Sequence, residues 1–195
     1  MTNPLAEALN QLVTLLESLR IRFVIVGSLA AAAHAVVHAP DEGADILAEL
    51  HPGMGLIVRT ALGAGWYADR EMTDTAIRDG GVFNLIHRAS ALKVDVFTAA
   101  GEYHATELNR AVPITLFFPE GTVTLPMASA EDVLLNDLQA YGAGNGLSER
   151  LWNNILGMLL TGPQLDFEYL RSWAARLRVS DLLSRAMADA ARANS

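Results

Sequence analysis

The sequence predicts an α/β domain followed by a helical domain, and three observations support this prediction. The segment from Phe23 to Val26 is a continuous β-branched and aromatic run, which is typical of a strand covered on both faces. It passes through Gly27-Ser28 into an alanine-rich segment with high helix propensity. After Pro126 the strand patterns give way to amphipathic helices separated by glycine and proline. We therefore predict an α/β domain at residues 1–126 and a helical domain at residues 127–195.

The remaining elements are predicted from hydrophobic periodicity and from turn residues. Apolar residues at a spacing of three or four indicate helices, and alternating or continuous apolar runs indicate strands. Arg88-Ala89-Ser90 joins two strand patterns, which predicts a hairpin. Ser129 and Ser148 each precede a helical pattern and are suitable N-caps. The predicted helices span residues 4–20, 29–37, 52–64, 69–78, 102–110, 129–141, 148–161, 166–178 and 180–191, and the predicted strands span residues 23–26, 45–50, 66–68, 82–87, 91–98, 112–118 and 122–125.

The composition excludes several classes of protein. The 195 residues carry a formal net charge of −8, which argues against broad nucleic-acid binding because such binding requires a positive surface. Cysteine is absent, so the chain has neither a disulfide framework nor a thiolate metal site. No apolar run reaches the roughly 20 residues that span a bilayer, and the N-terminal residues lack a secretory pattern. We expect a cytoplasmic protein of bacterial type with no membrane association.

A candidate ligand site follows the first predicted strand. Gly27-Ser28, at the start of a helix, offers backbone N–H groups and a hydroxyl to a phosphate. Asp45, at the start of the next predicted strand, can hold a metal ion that accompanies the phosphate. Strand–glycine–helix units are common in α/β folds, so this signal alone is not specific.

A second polar feature lies on the predicted strand at residues 91–98. Alternation places Lys93 and Asp95 on one face of this strand and its apolar residues on the other. Two interpretations remain open: the charges neutralise each other or lie at a strand end, or they bind a metal ion or a nucleotide. Lys93 is the only lysine beside thirteen arginines, so the chain offers few candidates for a catalytic amine.

Several motifs follow one another along the chain. They are GS-x-A-x-x-x-H from Gly27, the acid-headed strand at Asp45, FNLIH from Phe83, KVDVF from Lys93, and in the helical part SAEDVLLNDLQAY, SERLWNNILGMLL and LDFEYLRSWAARLRVSDLL. In order and spacing they resemble the nucleotidyltransferase superfamily, and within it the small bacterial proteins related to AbiEii-type abortive-infection toxins. The resemblance covers nearly the whole chain, from the first strand to Arg185.

This resemblance implies a fold and a reaction. The implied fold is a mixed sheet flanked by helices, followed by a C-terminal helical bundle. Active members transfer a nucleoside monophosphate from a nucleoside triphosphate to a hydroxyl or a similar acceptor. In the implied site a Gly-Ser turn holds the triphosphate, and three carboxylates bind two divalent ions such as Mg²⁺, which neutralise the phosphates and activate the attacking oxygen.

The resemblance assigns roles to individual residues. Gly27 and Ser28 match the triphosphate turn, Asp95 matches the third carboxylate, and Asp45 matches the second acid of an Asp-x-Asp pair. Gly43 stands where the first acid of that pair is expected. A glycine supplies no carboxylate, so the metal site is expected to be incomplete.

Other residues complete the candidate set or depart from the pattern. Glu42 or Asp41, in a loop one residue longer than expected, is a candidate replacement for the missing acid, and Lys93 is a candidate nucleotide contact. His38 and Pro40 stand where an Arg and a Thr are expected before the acidic strand. Asp137 stands where a Lys is expected in the first helix of the C-terminal part, and Asn153-Asn154 stand where an Arg-Asp pair is expected in the second. The apolar skeleton is retained while the charged set is changed.

Three functions are consistent with these residues. The first is a degenerate nucleotidyltransferase that retains the fold, with catalysis weak or absent and nucleotide binding possible. The second is an active Mg²⁺-dependent enzyme in which Glu42 or Asp41 compensates for Gly43. The third is an interaction module with no nucleotide role, in which Gly27-Ser28 is only a turn and Asp95 pairs with Lys93. A toxin–antitoxin partner or a second copy of the chain is a further expected partner.

Overall fold

The computed structural model describes residues 4–35, 43–118 and 121–193, and these residues form nine α-helices and seven strands. Within these ranges no helix is long and apolar enough to cross a membrane. In chain order the elements are α1 (Pro4–Ser18), β1 (Phe23–Val26), α2 (Gly27–His34), β2 (Gly43–Ala48), α3 (Met54–Leu62), β3 (Trp66–Ala68), α4 (Arg70–Asp79), β4 (Val82–His87), β5 (Lys93–Thr98), α5 (Gly101–Asn109), β6 (Val112–Phe118), β7 (Gly121–Met127), α6 (Ala130–Ala143), α7 (Glu149–Thr161), α8 (Phe167–Arg176) and α9 (Ser180–Ala193).

The strands form one mixed sheet in the order β3-β4-β5-β2-β1-β7-β6. Neighbouring strands are antiparallel except in the pairs β2–β5 and β1–β7, which are parallel. Strand β1 is buried at every position, as its continuous apolar run predicts. The predicted α/β class, with a mixed sheet, flanking helices and a C-terminal set of helices, is confirmed.

Contacts divide the chain into two compact units. The sheet unit consists of Met1–Val26 and Pro40–Met127, and the helical unit consists of Gly27–Ala39 and Ala128–Ser195. In the helical unit α2 packs against α6 and α7, and α6 also contacts α8 and α9. The division into domains at residues 126 and 127 stays a prediction, because compactness does not test whether either part folds alone. The buried side chains include Leu9, Leu12, Ile25, Ile46, Phe83 and Leu85 in the sheet unit, and Leu134, Leu135, Leu138 and Ile155 in the helical unit.

Side-chain caps define several helix starts. The hydroxyls of Ser129 and Ser148 accept the backbone N–H of the third residue of α6 and of α7, which confirms both predicted caps. Asp69 and Asp166 cap α4 and α8 in the same way with a carboxylate oxygen. Each cap satisfies a backbone donor that has no partner within the helix.

Two elements begin two residues earlier than the sequence predicts. Strand β2 begins at Gly43 rather than at Asp45, because its first two residues already pair with β5. Helix α2 begins at Gly27 rather than at Leu29, so the Gly-Ser pair forms its first turn. The end of the predicted helix at residues 36–37 lies outside the described residues.

Candidate functional site

The candidate site lies on one face of strands β2, β5 and β4 in the sheet unit. Asp45 of β2 is the register partner of Asp95 of β5, and Asp95 is in turn the partner of Asn84 of β4. Residues paired in this way point to the same face of a sheet, so the three polar side chains form a row across the strands. All three are half-buried, whereas their neighbours along each strand are buried. The polar row therefore lies on the more open face of this part of the sheet.

Asp95 is held by donors from two side chains. The Asn84 Nδ2 group donates to Asp95 Oδ1 over 2.5 Å, and the Lys93 ammonium lies 3.0 Å from Oδ1 and 3.1 Å from Oδ2. The Lys93 side chain is 53% exposed and that of Asp95 is 28% exposed. Both charges thus have a partner within the chain, at a position that solvent still reaches.

Gly43 is the register partner of Lys93 and occupies the position of the expected first acid. A Cβ atom at this position would lie 3.0 Å from the backbone carbonyl oxygen of Lys93, which is tighter than nine in ten real Cβ contacts. Any other residue, including an aspartate, therefore requires the two strands to yield by a few tenths of an ångström. Gly43 therefore allows the close approach of β2 to the Lys93 carbonyl oxygen and supplies no carboxylate.

The described residues do not fit a two-metal centre. Two divalent ions need oxygen ligands that converge from several residues. In residues 4–35, 43–118 and 121–193, no group of three or more His, Asp or Glu side chains is placed to hold a metal ion. Asp45 and Asp95 are only two carboxylates, and Asp95 already binds Lys93. Glu42 and Asp41, the candidate replacement acids, lie outside the described residues.

The Gly-Ser pair begins α2 in the helical unit. Gly27 has a φ of 65°, in the left-handed region, where a residue with a Cβ atom is strained by about 1–2 kcal/mol. The turn from β1 into α2 therefore requires glycine for its backbone geometry alone. Ser28 is half-buried and directly follows it. Phosphate binding by Gly27 and Ser28 stays a prediction.

Two positions at which the resemblance implies charged groups are buried in the helical unit. Asp137 on α6 is 7% exposed and Asn154 on α7 is 1% exposed. The Asn154 side-chain oxygen lacks a hydrogen-bond partner among the described residues. Asn153, in contrast, is exposed. Asp137 and Asn154 are thus withdrawn from solvent, whereas charged and amide side chains are mostly exposed in folded proteins.

Asn84 belongs to the site but was not among the residues that the sequence singled out. Alternation along FNLIH places Asn84 on the face opposite Phe83 and Leu85. The predicted hairpin makes β4 and β5 neighbours, but their register decides that Asn84 faces Asp95. That register depends on where β5 begins, and β5 begins at Lys93 rather than at Ala91. Alternation along β4 thus indicated the face on which Asn84 lies, and only the register of β4 with β5 was needed to identify Asp95 as its partner.

A separate cavity of about 370 Å³ lies between α3 and α4 in the sheet unit and is lined by Arg59, Arg70 and Arg78. Its positive charge is balanced internally. Asp74 lies 2.9 Å from the Arg59 guanidinium and 3.8 Å from that of Arg70, and Asp79 lies 2.9 Å from that of Arg78. The Arg78 guanidinium also lowers the pKa of the Asp79 carboxyl through a hydrogen bond. These arginines are engaged in ion pairs within α4 and between α3 and α4.

No protein-family model and no curated protein matches the chain. Among solved structures, the chain is similar to the crystal structure of an antigenic nucleotidyltransferase-like protein from Paracoccidioides brasiliensis, with 16% identity, a TM-score of 0.49 and coverage of 90% of this chain and 89% of the other. It is also similar to the solution structure of the antibiotic-resistance factor ANT(2'')-Ia, with 14% identity, a TM-score of 0.47 and coverage of 95% and 88%. Likenesses with TM-scores below 0.5 do not define a function.

Proposed function

We propose that this chain is a nucleotidyltransferase-fold protein with a degenerate metal site, which binds a nucleoside triphosphate through Gly27-Ser28 and transfers nucleotidyl groups weakly or not at all. The observation that carries the proposal is the pairing of β2 with β5. Asp45 is paired with Asp95 in that register, as two acids of a metal site would be, but Gly43 is paired with Lys93. Position 43 lies two residues before Asp45 on the same face of β2, but glycine supplies no carboxylate there.

The chemistry of nucleotidyl transfer explains why this loss matters. Metal ions neutralise the phosphates, position the attacking oxygen and stabilise the leaving group. Hard cations such as Mg²⁺ bind through several oxygen ligands. With glycine at one ligand position and an ammonium group on Asp95, the described residues offer little negative charge to such ions. Mg²⁺ is therefore expected to bind weakly, if at all.

Nucleotide binding is the part of the function that does not depend on a complete metal site. Backbone N–H groups at the start of α2 and the Ser28 hydroxyl are suitable donors to phosphate oxygens. Glycine at position 27 allows the chain to enter the helix with a left-handed φ. Nucleotide binding is therefore supported by Gly27 and Ser28, whereas nucleotidyl transfer needs the carboxylates.

A thermal-shift assay tests the binding half of the proposal. A ligand that binds only the folded state raises Tm, so we expect at least one of the four nucleoside triphosphates to raise Tm with or without Mg²⁺. The increase should be smaller in Ser28→Ala and unchanged in Ser172→Ala, a matched control because Ser172 is exposed on α8. If no nucleotide raises Tm, the binding half is wrong and a pure interaction module is favoured.

A pyrophosphate-release assay tests the catalytic half. We expect the wild-type chain to release no more pyrophosphate than Asp95→Asn when Mg²⁺ and a nucleoside triphosphate are supplied. Mg²⁺-dependent release that disappears in Asp95→Asn would contradict the degenerate site and favour an active enzyme. Glu42→Gln and Asp41→Asn would then identify which acid compensates for Gly43.

From the resemblance we also propose that the chain belongs to the AbiEii-related branch and is cytoplasmic. We further propose that it binds a protein partner or a second copy of itself. Analytical ultracentrifugation of the purified chain measures self-association directly. A concentration-dependent dimer is the expected result if the partner is a second copy. A monomer at all concentrations would remove that part of the proposal and leave a heterologous partner.

A further inference from the structure

We infer that Lys93 is a built-in cation that occupies the Asp95 carboxylate and keeps divalent metal ions from binding there. This inference rests on the proposed degenerate metal site and adds the residue that closes it. It concerns metal binding alone and makes no claim about the nucleotide.

The contacts around Asp95 carry the inference. The Lys93 ammonium lies within hydrogen-bond distance of both carboxylate oxygens, at 3.0 Å and 3.1 Å, and Asn84 donates to Oδ1 over 2.5 Å. A divalent ion binds carboxylate oxygens at about 2.0–2.6 Å through the same lone pairs. Metal binding and the ion pair therefore compete for this carboxylate, and an ammonium group beside a bound ion would also repel it.

The register of β2 and β5 explains why Lys93 binds Asp95. The two residues lie two positions apart on β5 and so share a face. The residue paired with Lys93 across the strands is Gly43, which offers no competing carboxylate. A Cβ atom at position 43 would also meet the Lys93 carbonyl oxygen at 3.0 Å. Gly43 thus supplies neither a metal ligand nor an acid at the position paired with Lys93.

The exclusion is graded rather than absolute. The Lys93 side chain is 53% exposed and can turn toward solvent, so a metal ion at high concentration can displace it. Exposed ion pairs contribute up to about 1 kcal/mol, which corresponds to about a five-fold change in an equilibrium constant. Removal of Lys93 should therefore strengthen metal binding at Asp95 by up to about five-fold.

Electron paramagnetic resonance of free Mn²⁺ measures this affinity without any activity assay. We expect Lys93→Met to bind one Mn²⁺ with a Kd up to about five-fold below that of the wild type. The double variant Lys93→Met with Asp95→Asn should lose the gain, because the carboxylate that receives the ion is absent. Lys93→Arg retains the positive charge and should behave as the wild type. Lys93→Gln is a second neutral variant if Lys93→Met fails to fold.

Three results would overturn the inference. They are equal Mn²⁺ affinity in the wild type and both neutral variants, a gain that persists in the double variant, and a gain of the same size in Lys93→Arg. The nucleotide-dependent rise in Tm is measured separately in the wild type and in Lys93→Met. If no nucleotide raises Tm in the wild type, the proposed nucleotide binding is contradicted, while the Mn²⁺ affinities still test the role of Lys93.

Discussion

Asp95 in the sheet unit and Asp132 in the helical unit are both held by donors from two side chains, but the donors and the surroundings differ. Asp95 is 28% exposed and binds an ammonium group and an amide. Asp132 is 0% exposed, and its carboxylate accepts the Ser129 hydroxyl over 2.7 Å and the Tyr169 hydroxyl over 2.5 Å. One carboxylate is partly exposed beside an exposed ammonium group, and the other is enclosed and accepts two hydroxyls.

The same side chain thus links two helices at position 132 and lies within reach of solvent at position 95. The hydroxyl of Ser129 both caps α6 and binds Asp132, while Tyr169 belongs to α8, so the network joins two helices. Water cannot replace those donors without opening the helical unit. Around Asp95, water can replace Lys93 at little cost. Stability is therefore expected to depend on Asp132, and ion binding on Asp95.

The largest expected effect is that of Asp132→Ala. We expect the free energy of unfolding, measured by urea denaturation, to fall by about 3 kcal/mol, because the buried Ser129 hydroxyl and the half-buried Tyr169 side chain lose a charged acceptor. Asp181→Ala is the matched control, since Asp181 is an exposed aspartate in the first turn of α9 and should change stability by less than about 0.5 kcal/mol. Equal losses in the two variants would contradict a structural role for Asp132.

A smaller effect is expected in the sheet unit. Lys93→Met should lower the free energy of unfolding by less than about 1 kcal/mol, because the pair that it breaks is partly exposed to solvent. Urea denaturation in low and high salt measures the loss, and salt should reduce the difference from the wild type. A loss as large as that of Asp132→Ala would place Asp95 among the structural carboxylates and blur the contrast between the two units.

The smallest expected effect is a pH dependence in α5. His104 Nδ1 accepts the backbone N–H of Ala100 over 2.9 Å, and burial lowers the pKa of the imidazole from its ordinary value. Because the pKa in the folded state lies below that in the unfolded state, the unfolded chain binds more protons between the two values. The stabilisation is complete above the unfolded pKa, at about 6.5, and is lost as the pH falls from there through the folded pKa.

Urea denaturation at about pH 7.5 and about pH 5 measures this dependence on the two sides of the ordinary histidine pKa. The wild type should lose more stability on acidification than His104→Gln, while the exposed control His51→Gln should behave as the wild type. This test gives the sheet unit a second titratable group against which the ion pair of Lys93 and Asp95 can be compared. An identical loss in His104→Gln and the wild type would show that burial of the imidazole contributes nothing.

Much of the secondary structure follows from local patterns. Strands β1, β3, β4 and β6 have the predicted bounds, because each apolar run is delimited by glycine, polar or turn residues. Ser129 and Ser148 cap the predicted helices because a cap depends only on residues three positions apart. The bounds of β2 and β7 were predicted less well, because their terminal residues join the sheet through pairing with other strands.

The sequence by itself determined the α/β class, the Gly27-Ser28 turn into a helix and the presence of acids at positions 45 and 95, since these depend on local spacing and composition. Only the tertiary structure decided that β2 and β5 are parallel neighbours in a register that sets Asp45 beside Asp95, with Asn84 on the same row. It also decided that Gly43 lies against the Lys93 carbonyl oxygen. Pairing between strands distant in sequence depends on packing of the whole sheet unit, and a local pattern does not specify it.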